Sequence, residues 1–390
     1  MKTILISLIS EQTIPNILVT AYYKPHILWF ITTERSERGR RTECIENTLK
    51  LKGLLPSPVD IKKVIVDQDS LTDCISKVES LIEKIHGEVE YIVNITGGNK
   101  VMALAAYEIF REIRRQKVVI GYMPLGKNEF LQIFPRKRPL KIYEIKELLN
   151  LEEYLMSYGF IIQNKHWLQE IKAKAISRKE ISRWILENYE QLKGVLDFLW
   201  ERLHKKRRDK NYKLSETFER ELTKIESEML NKHGFEVKGR LISKDITKDE
   251  IVYLTGGWFE EYIFNEVYSL VQDGILDDAM IDINIESLDG TKNELDIAFM
   301  KDNVFYFIEC KTLGGEEELN VIREEVYKKG AISTLLGKGE NRGIICTTHH
   351  QIGESLSARA RDYGIEILTM GQVRELKKWI VEKFKGVKKY

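Results

Sequence analysis

The first 145 residues alternate short apolar runs with amphipathic stretches, and that alternation leaves few folds open to them. Ile4–Ser10, Ile27–Thr32, Lys63–Val66, Tyr91–Ile95 and Lys117–Tyr122 have the length and composition of buried strands. The stretches between them have helical periods, as in Leu71–Ile85, where Leu71, Ile75, Val78, Leu81, Ile82 and Ile85 share one face. Strands alternating with helices predict a parallel sheet with right-handed crossovers, a Rossmann-like α/β domain. Glu129–Phe134, followed by the basic, proline-bearing run Pro135–Pro139, reads as a terminal hairpin closing this unit near Tyr143.

Beyond Tyr143 the pattern changes. Helical periodicity dominates to about Asn231, as in Ile181–Leu203, and is interrupted by the basic cluster Lys205, Lys206, Arg207, Arg208 and Lys210, which reads as a solvated loop or, less commonly for such clusters, as the lining of a substrate path. From Gly234 a second α/β pattern begins, centred on a β-hairpin. The expected division is therefore 1–145, a helical connector or shoulder at 146–233, and a second α/β domain at 234–390. The length of 390 residues accommodates two or three such units. A net charge of +1 provides no overall basic field, so any nucleic-acid binding must come from a local groove. Cys44, Cys74, Cys310 and Cys346 are widely spaced, which disfavours a zinc knuckle or disulfide framework and fits a reducing cytoplasm. The apolar start Met1–Ser10 reads as a first strand and not a signal peptide, because Glu11 and Gln12 follow with no small-residue cleavage site. No apolar run reaches membrane-spanning length.

The strongest chemical signal lies in Asn293–Phe299 and Val304–Lys311, two strand-like segments joined by a short turn containing Asp302 and Asn303. Strand alternation places Phe305, Phe307, Glu309 and Lys311 on one face and Tyr306, Ile308 and Cys310 on the other. Pairing Phe299 with Val304 puts Asp296 opposite Phe307 and beside Glu309; a one-residue slip would undo this. Carboxylates gathered in this way need a neutralising cation, and Mg²⁺ or Mn²⁺ suits oxygen donors. Lys311 is then placed to orient an attacking water or to stabilise charge on phosphorus. In the preceding segment Gly257–Val271, Glu260 runs in the row of Phe264, Val267 and Val271 and borders the buried face. Glu261, in the row of Asn265 and Tyr268, is expected to face outward. Glu294 reads as exposed, and Lys328 and Lys329 as solvent-facing.

Two loops follow strands in the first domain: Ser10–Asn16, and Thr96–Lys100 at the start of a helix. Ligands collect at such strand ends, and helix N-termini favour phosphates. Thr96 and Asn99 offer polar contacts, Gly97 and Gly98 close backbone approach, and Lys100 a phosphate partner, although a plainly capped helix explains the motif equally well. Neither GxGxxG nor GxxxxGK[ST] is present, which disfavours a dinucleotide coenzyme or ATP.

The order helix-Glu, ELD, ECK resembles the PD-(D/E)xK nuclease superfamily, with Asp296, Glu309 and Lys311 on its motif positions and Leu-Asp where that family has Pro-Asp. The segments SEQTIPN and NITGGNKVMALA resemble the CARF domain of type III CRISPR accessory proteins. Together with GGWFEE, NELD and ECKT, they make the whole chain resemble the CARF-fused ancillary nucleases of those systems. That resemblance implies a homodimer binding a cyclic oligoadenylate, most often cyclic tetra-adenylate, across its two-fold axis. Binding would activate metal-dependent cleavage of single-stranded DNA, single-stranded RNA, or nicking of duplex DNA. It further implies ligand contacts from Ser10, Glu11, Gln12, Pro15, Asn16, Thr96, Gly97, Gly98, Asn99, Lys100 and Met102. Catalysis would rest on Glu260, Asp296, Glu309 and Lys311, with the three carboxylates as metal ligands. Two other readings stay open: a sensor that binds nucleic acid without cutting it, and a ring nuclease in which Ser10 and Lys100 help cleave the cyclic ligand.

Overall fold

The computed structural model describes residues 1–55, 60–124, 126–312, 316–336 and 342–385. Five parallel strands, β1 (Lys2–Leu8), β2 (Ile27–Thr32), β3 (Asp60–Ile65), β4 (Val89–Asn94) and β5 (Lys117–Tyr122), are extended by the antiparallel hairpin β6 (Glu129–Phe134) and β7 (Lys141–Glu144). The sheet order is β3-β2-β1-β4-β5-β6-β7. β1, β2 and β4 are covered on both faces, which is why they read as unbroken apolar runs. The strand order reverses between β1 and β4, so the crevice where ligands gather in such sheets lies where the two singled-out loops emerge.

The middle segment carries strands that periodicity did not show. β8 (Phe160–Ile162) is the edge strand of the second large sheet. β9 (Asn211–Thr217) joins β10 (Glu236–Lys238) and β11 (Leu241–Thr247) in a small sheet of order β10-β11-β9. β8 is too short to display alternation, and only Leu214 of β9 is fully buried, so neither announces itself. The long helical stretch is two helices, Lys179–Glu187 and Tyr189–Leu203, meeting at Asn188.

The second large sheet adds β12 (Asp278–Ser287), β13 (Lys292–Lys301), β14 (Val304–Lys311), β15 (Gly343–Thr347) and β16 (Ile365–Leu368). Its order is β16-β15-β14-β13-β12-β8, with β12 to β14 an antiparallel meander and β14 to β16 parallel. Of the segment Tyr327–Thr348, read above as a helix and strand behind the site, residues 337–341 lie outside the described residues.

The β13–β14 hairpin turns on Asp302 and Asn303, with φ 51° and 64°, the two left-handed residues of a type I′ connection. Lys301 therefore pairs with Val304, two residues from the register expected above. Because the shift is even, every side chain keeps its expected face. One face packs Ala298, Met300, Phe305 and Phe307 into a core shared with β1, β2 and the helix Leu151–Ser157; the other packs Ile297, Phe299, Ile308 and Cys310 against the helical middle. The turn itself is held by the first domain and its exit segment. Asn303 Oδ1 accepts the Leu149 N–H (2.8 Å), and Asn303 Nδ2 donates to the Glu147 carbonyl (2.9 Å) and Asn128 Oδ1 (3.1 Å). Among the described residues no helix is long and apolar enough to cross a membrane.

The loop after β4 passes directly beneath the end of β1: a Cβ added to Gly97 would stand 2.1 Å from the Leu8 carbonyl oxygen. Backbone cannot yield as a side chain can. Gly97→Ala is expected to cost about 2 kcal/mol or more in urea unfolding. Gly371→Ala, on a helix with nothing within 4 Å, should be neutral or slightly stabilising. Equal stabilities of the two variants would contradict this account of the loop.

Candidate active site and sensor loops

The hairpin ladder closes at Ile297↔Ile308. Beyond it the Asp296 carboxylate, not a backbone carbonyl, takes the Cys310 N–H, at 2.7 Å from Oδ2. A cleft of about 410 Å³ lies at this end of the hairpin, lined by Glu260, Glu294, Asp296, Glu309, Cys310, Lys311 and Thr312, with Trp200, His204, Arg207, Thr255 and Gly256. All four residues expected to carry the chemistry thus share one cavity.

Glu260 arrives on the first turn of the helix Trp258–Gln272, which follows a π-helical turn, Tyr253–Gly257, whose Gly256 has φ 140°. Arg207 braces that turn: its Nε donates to Thr255 Oγ1 (2.8 Å) and its Nη2 to the Thr255 carbonyl (2.6 Å). Far from being a free end of a solvated basic loop, Arg207 is pinned at the cleft. Glu261 points elsewhere, to 3.5 Å from Arg178, and burial raises its carboxyl to about 7. The face expected to be outward is covered by the helix Leu168–Ser177, where Asn265 Nδ2 reaches the Ala175 carbonyl (2.8 Å).

The electrostatics follow from crowding. Burial, then Asp282, Glu294 and Glu309, against the pull of Arg207, push the Glu260 carboxyl up to about 7. Burial, then Glu260 and Glu309, hold the Asp296 carboxyl well above the usual range, while the Cys310 N–H opposes them. Glu309, 5% exposed, is met by two ammonium groups: Lys311 Nζ at 2.8 Å from Oε1 and Lys329 Nζ at 2.6 Å from Oε2. Burial opposes the charge on Lys311, but Glu309, Glu325 and Asp296 outweigh it and hold its ammonium above the usual range.

Three participants were not expected from the sequence. Lys329 is buried, and also donates to the Glu294 carbonyl at 2.8 Å, so it ties the helix Glu316–Leu335 to both strands of the hairpin. The helical stripe Ile322, Val326, Lys329, Ile332, Leu336 would have revealed it. Glu325 lies 3.7 Å from Lys311. Asp282, in β12, stands where the β12–β13 register skips from Ile281↔Ile297 to Ile283↔Leu295, with φ 52°, and so flanks Asp296. Glu294 is exposed as expected, yet its carboxyl borders the cleft and is raised by burial, Asp282 and Glu309.

Hard oxygen donors with raised carboxyl pKa values are what a divalent ion would relieve, so the donor set fits Mg²⁺ or Mn²⁺ in chemistry. In this geometry, no three His, Cys, Asp or Glu side chains among the described residues are close enough to share an ion. The two oxygens of Glu309 are engaged by Lys311 and Lys329.

At the other end of the molecule the two sensor loops are stitched together. Asn94 Nδ2 donates to Asn16 Oδ1 (3.0 Å), Asn16 Nδ2 reaches the Leu8 carbonyl (3.4 Å), and Thr96 Oγ1 donates to Asn94 Oδ1 (2.5 Å) and accepts the Met123 N–H (2.8 Å). Asn99 caps the helix Lys100–Glu112 by accepting the Met102 N–H (2.9 Å) and donates to the Gln68 carbonyl (2.7 Å). Asn16 and Met102 are buried, and Gly97 is required by Leu8. Glu11 and Lys100 are exposed, Ser10, Gln12, Pro15 and Gly98 partly so, at the mouth of the crevice. Glu11 pairs with Arg35 (2.8 Å), and Gln12 Oε1 accepts the Tyr158 hydroxyl (3.1 Å).

A parallel sensor-type sheet joined to a carboxylate–lysine hairpin defines a two-domain nuclease with a ligand-binding half. Residues 4–154 match the Card1 CARF domain, and residues 247–387 the endonuclease domain of the Card1-like type. The chain is therefore a member of the CARF-domain-fused nucleases. Among solved structures, Can2 from Sulfobacillus thermosulfidooxidans, in complex with cyclic tetra-adenylate, is 20% identical with TM-score 0.75, over 97% of this chain and 99% of that one. Protein VC1899 from Vibrio cholerae is 16% identical with TM-score 0.75, over 98% of each chain. A type III CRISPR defence DNA nuclease activated by cyclic oligoadenylate is 17% identical with TM-score 0.52, over 89% of this chain and 45% of that one. At such identities the likeness is one of fold. No curated protein matches the sequence.

The raised carboxyls give a signed expectation in metal-free protein. Glu260 moves from 4.5 unfolded to about 7 folded, so the folded state holds a proton that the unfolded state releases in that window. Its ionisation thus costs stability as pH rises through about 7. Glu260→Gln should stabilise the protein in urea at about pH 7.5, and that gain should shrink by about pH 5.5. A gain equal at both pH values would contradict the burial argument.

Proposed function

We propose that this chain is a cyclic oligoadenylate-activated, metal-dependent nuclease of type III CRISPR antiviral defence, with cyclic tetra-adenylate as activator. It works in the cytoplasm as a homodimer on phosphodiesters of DNA or RNA. One observation carries the reading: the hairpin that bears Asp296, Glu309 and Lys311 at one end is bonded through Asn303 to the sensor half at the other. The likeness to Can2, solved with cyclic tetra-adenylate, supports the choice of ligand.

In the sensor, direct ligand contacts are assigned to Ser10, Glu11, Gln12, Pro15, Gly98 and Lys100. Asn16, Thr96, Gly97, Asn99 and Met102 shape the loops that present them. The first turn of the helix Lys100–Glu112 adds free N–H groups to the phosphate side of that crevice. A two-fold dimer pairs two such crevices around one symmetric ring of phosphates.

In the nuclease half, Glu260, Asp296 and Glu309 would hold a divalent ion, which would supply charge neutralisation and Lewis-acid polarisation at the scissile phosphodiester. The Cys310 N–H fixes one Asp296 oxygen, leaving the other to face the cleft. Lys311, held positive by Glu309 and Glu325, is placed to orient an incoming water and to stabilise charge on the phosphate. Arg207 keeps the turn before Glu260 closed and adds a positive charge beside the phosphate path. Activation must separate Glu309 from one of its two ammonium partners. A ligand achieves this only by binding one domain arrangement more tightly than the other.

Cleavage of labelled single-stranded oligonucleotides is expected only with both Mn²⁺ and cyclic tetra-adenylate present. Glu309→Ala should remove it while ligand binding survives; undiminished cleavage by that variant would overturn the site. Asn303→Gly keeps the left-handed turn (φ 64°) but removes all three side-chain bonds to the sensor half. It should leave ligand affinity intact and weaken ligand stimulation by about 0.5–2 kcal/mol, roughly 2- to 30-fold. Unaltered stimulation would remove the hairpin from the coupling route.

A further inference from the structure

The catalytic cleft has an aromatic wall to which the chemistry described above gives no task. Trp200, near the C-terminal end of the helix Tyr189–Leu203, stacks on His204 with ring centroids 4.2 Å apart and planes 6° from parallel. The His204 ring is held in register, its Nδ1 2.9 Å from the Trp200 carbonyl oxygen. Both rings are partly exposed and both line the cavity that contains Glu260, Asp296, Glu309 and Lys311. Stacking between residues four apart is an ordinary way to support a helix, at about 0.2–0.5 kcal/mol. That does not explain why the pair faces the cleft: Trp200 lies outside the hydrophobic core that takes Leu196, Leu199 and Leu203 from its own helix.

We propose that Trp200, backed by His204, is a stacking subsite for an unpaired nucleobase next to the scissile phosphate. Each ring gives one face to the other, and the partial exposure of both at the cleft presents aromatic surface to a base. Arg207 follows His204 by three residues and lines the same cavity, putting a positive charge beside the aromatic surface. Aromatic faces interleaved with cations are how proteins hold single strands without reading sequence. A cleft of about 410 Å³ is in the range of small-ligand pockets, suited to a nucleotide or two and not to a double helix. In a duplex, stacking on the neighbouring base pairs would cover the very face the platform needs. The inference deepens the nuclease reading and rests on it: the subsite sets which strand can place a phosphate over Asp296 and Glu309.

The test measures binding without cleavage. Full-length protein in EDTA, with and without cyclic tetra-adenylate, is titrated into three labelled probes: oligothymidylate, the same strand with abasic residues throughout, and a duplex. Wild type is expected to prefer oligothymidylate over the abasic strand by about 5-fold or more. Trp200→Phe should keep most of that preference, and Trp200→Leu, which fills the space without a π face, should abolish it. Circular dichroism and ligand binding verify that the variants fold. A preference retained by Trp200→Leu overturns the subsite, as does a wild type that binds the base-bearing and abasic strands equally; either leaves the nuclease reading standing. A wild type that binds none of the three probes also overturns the subsite, and the nuclease reading is then decided by the cleavage assay with Mn²⁺.

Discussion

Negative charge crowded at the open end of one hairpin is the constraint around which the rest of the molecule is arranged. Glu260, Asp296 and Glu309 come from three separate elements, and burial beside one another raises the carboxyls of Glu260 and Asp296. The fold supplies two lysines, an arginine and a backbone N–H to the same small volume. Such a cluster is tolerable only where the surrounding elements are firmly placed, and the hairpin is clamped by a hydrophobic core on each face. The shared core on one of those faces reaches into the parallel sheet of the first domain, so the two halves are packed as well as tethered.

That arrangement links the two halves physically. Asn303 fixes the turn to the exit of the first domain, and about six residues further along each strand Asp296 and Glu309 line the cleft at the ladder's open end. A second link runs from Gln12 in the sensor loop to Tyr158, whose ring lies 5.1 Å from that of Tyr154, which in turn stacks on Phe305 of the hairpin at 5.3 Å. Packed cores pass on displacement because they have few intermediate arrangements. Lys329 adds a third element to this unit, since it holds a Glu309 oxygen and the Glu294 carbonyl together.

The roles of the sensor-loop residues divide along similar lines. Polar residues that looked like ligand contacts are largely engaged in construction: Asn16 and Thr96 bridge β1 to β4 through Asn94, and Asn99 caps its helix. Gly97 is small because Leu8 passes over it. Ser10, Glu11, Gln12, Pro15, Gly98 and Lys100 are the accessible members of the two loops.

Local pattern in the chain was enough to determine the parallel first sheet, the loops at its switch point, the β13–β14 hairpin and which of Glu260 and Glu261 borders the cleft, because periods of two and 3.6 residues report burial directly. It also set the face of each hairpin residue, which an even register shift leaves unchanged. The register itself was decided by the left-handed pair Asp302 and Asn303, a two-residue turn where a longer loop had been read. β8 and β9 emerged only through partners far along the chain, as short or weakly buried strands must. Asp282 and Arg207 join the cleft through tertiary packing alone, Asp282 by its place between the Ile281↔Ile297 and Ile283↔Leu295 pairs and Arg207, itself exposed, by its bonds to Thr255. Lys329 stands on the buried stripe of its helix, but which carboxylate meets its ammonium is decided only when that helix packs across the hairpin, because a helical period reports a covered face and not the partner that covers it.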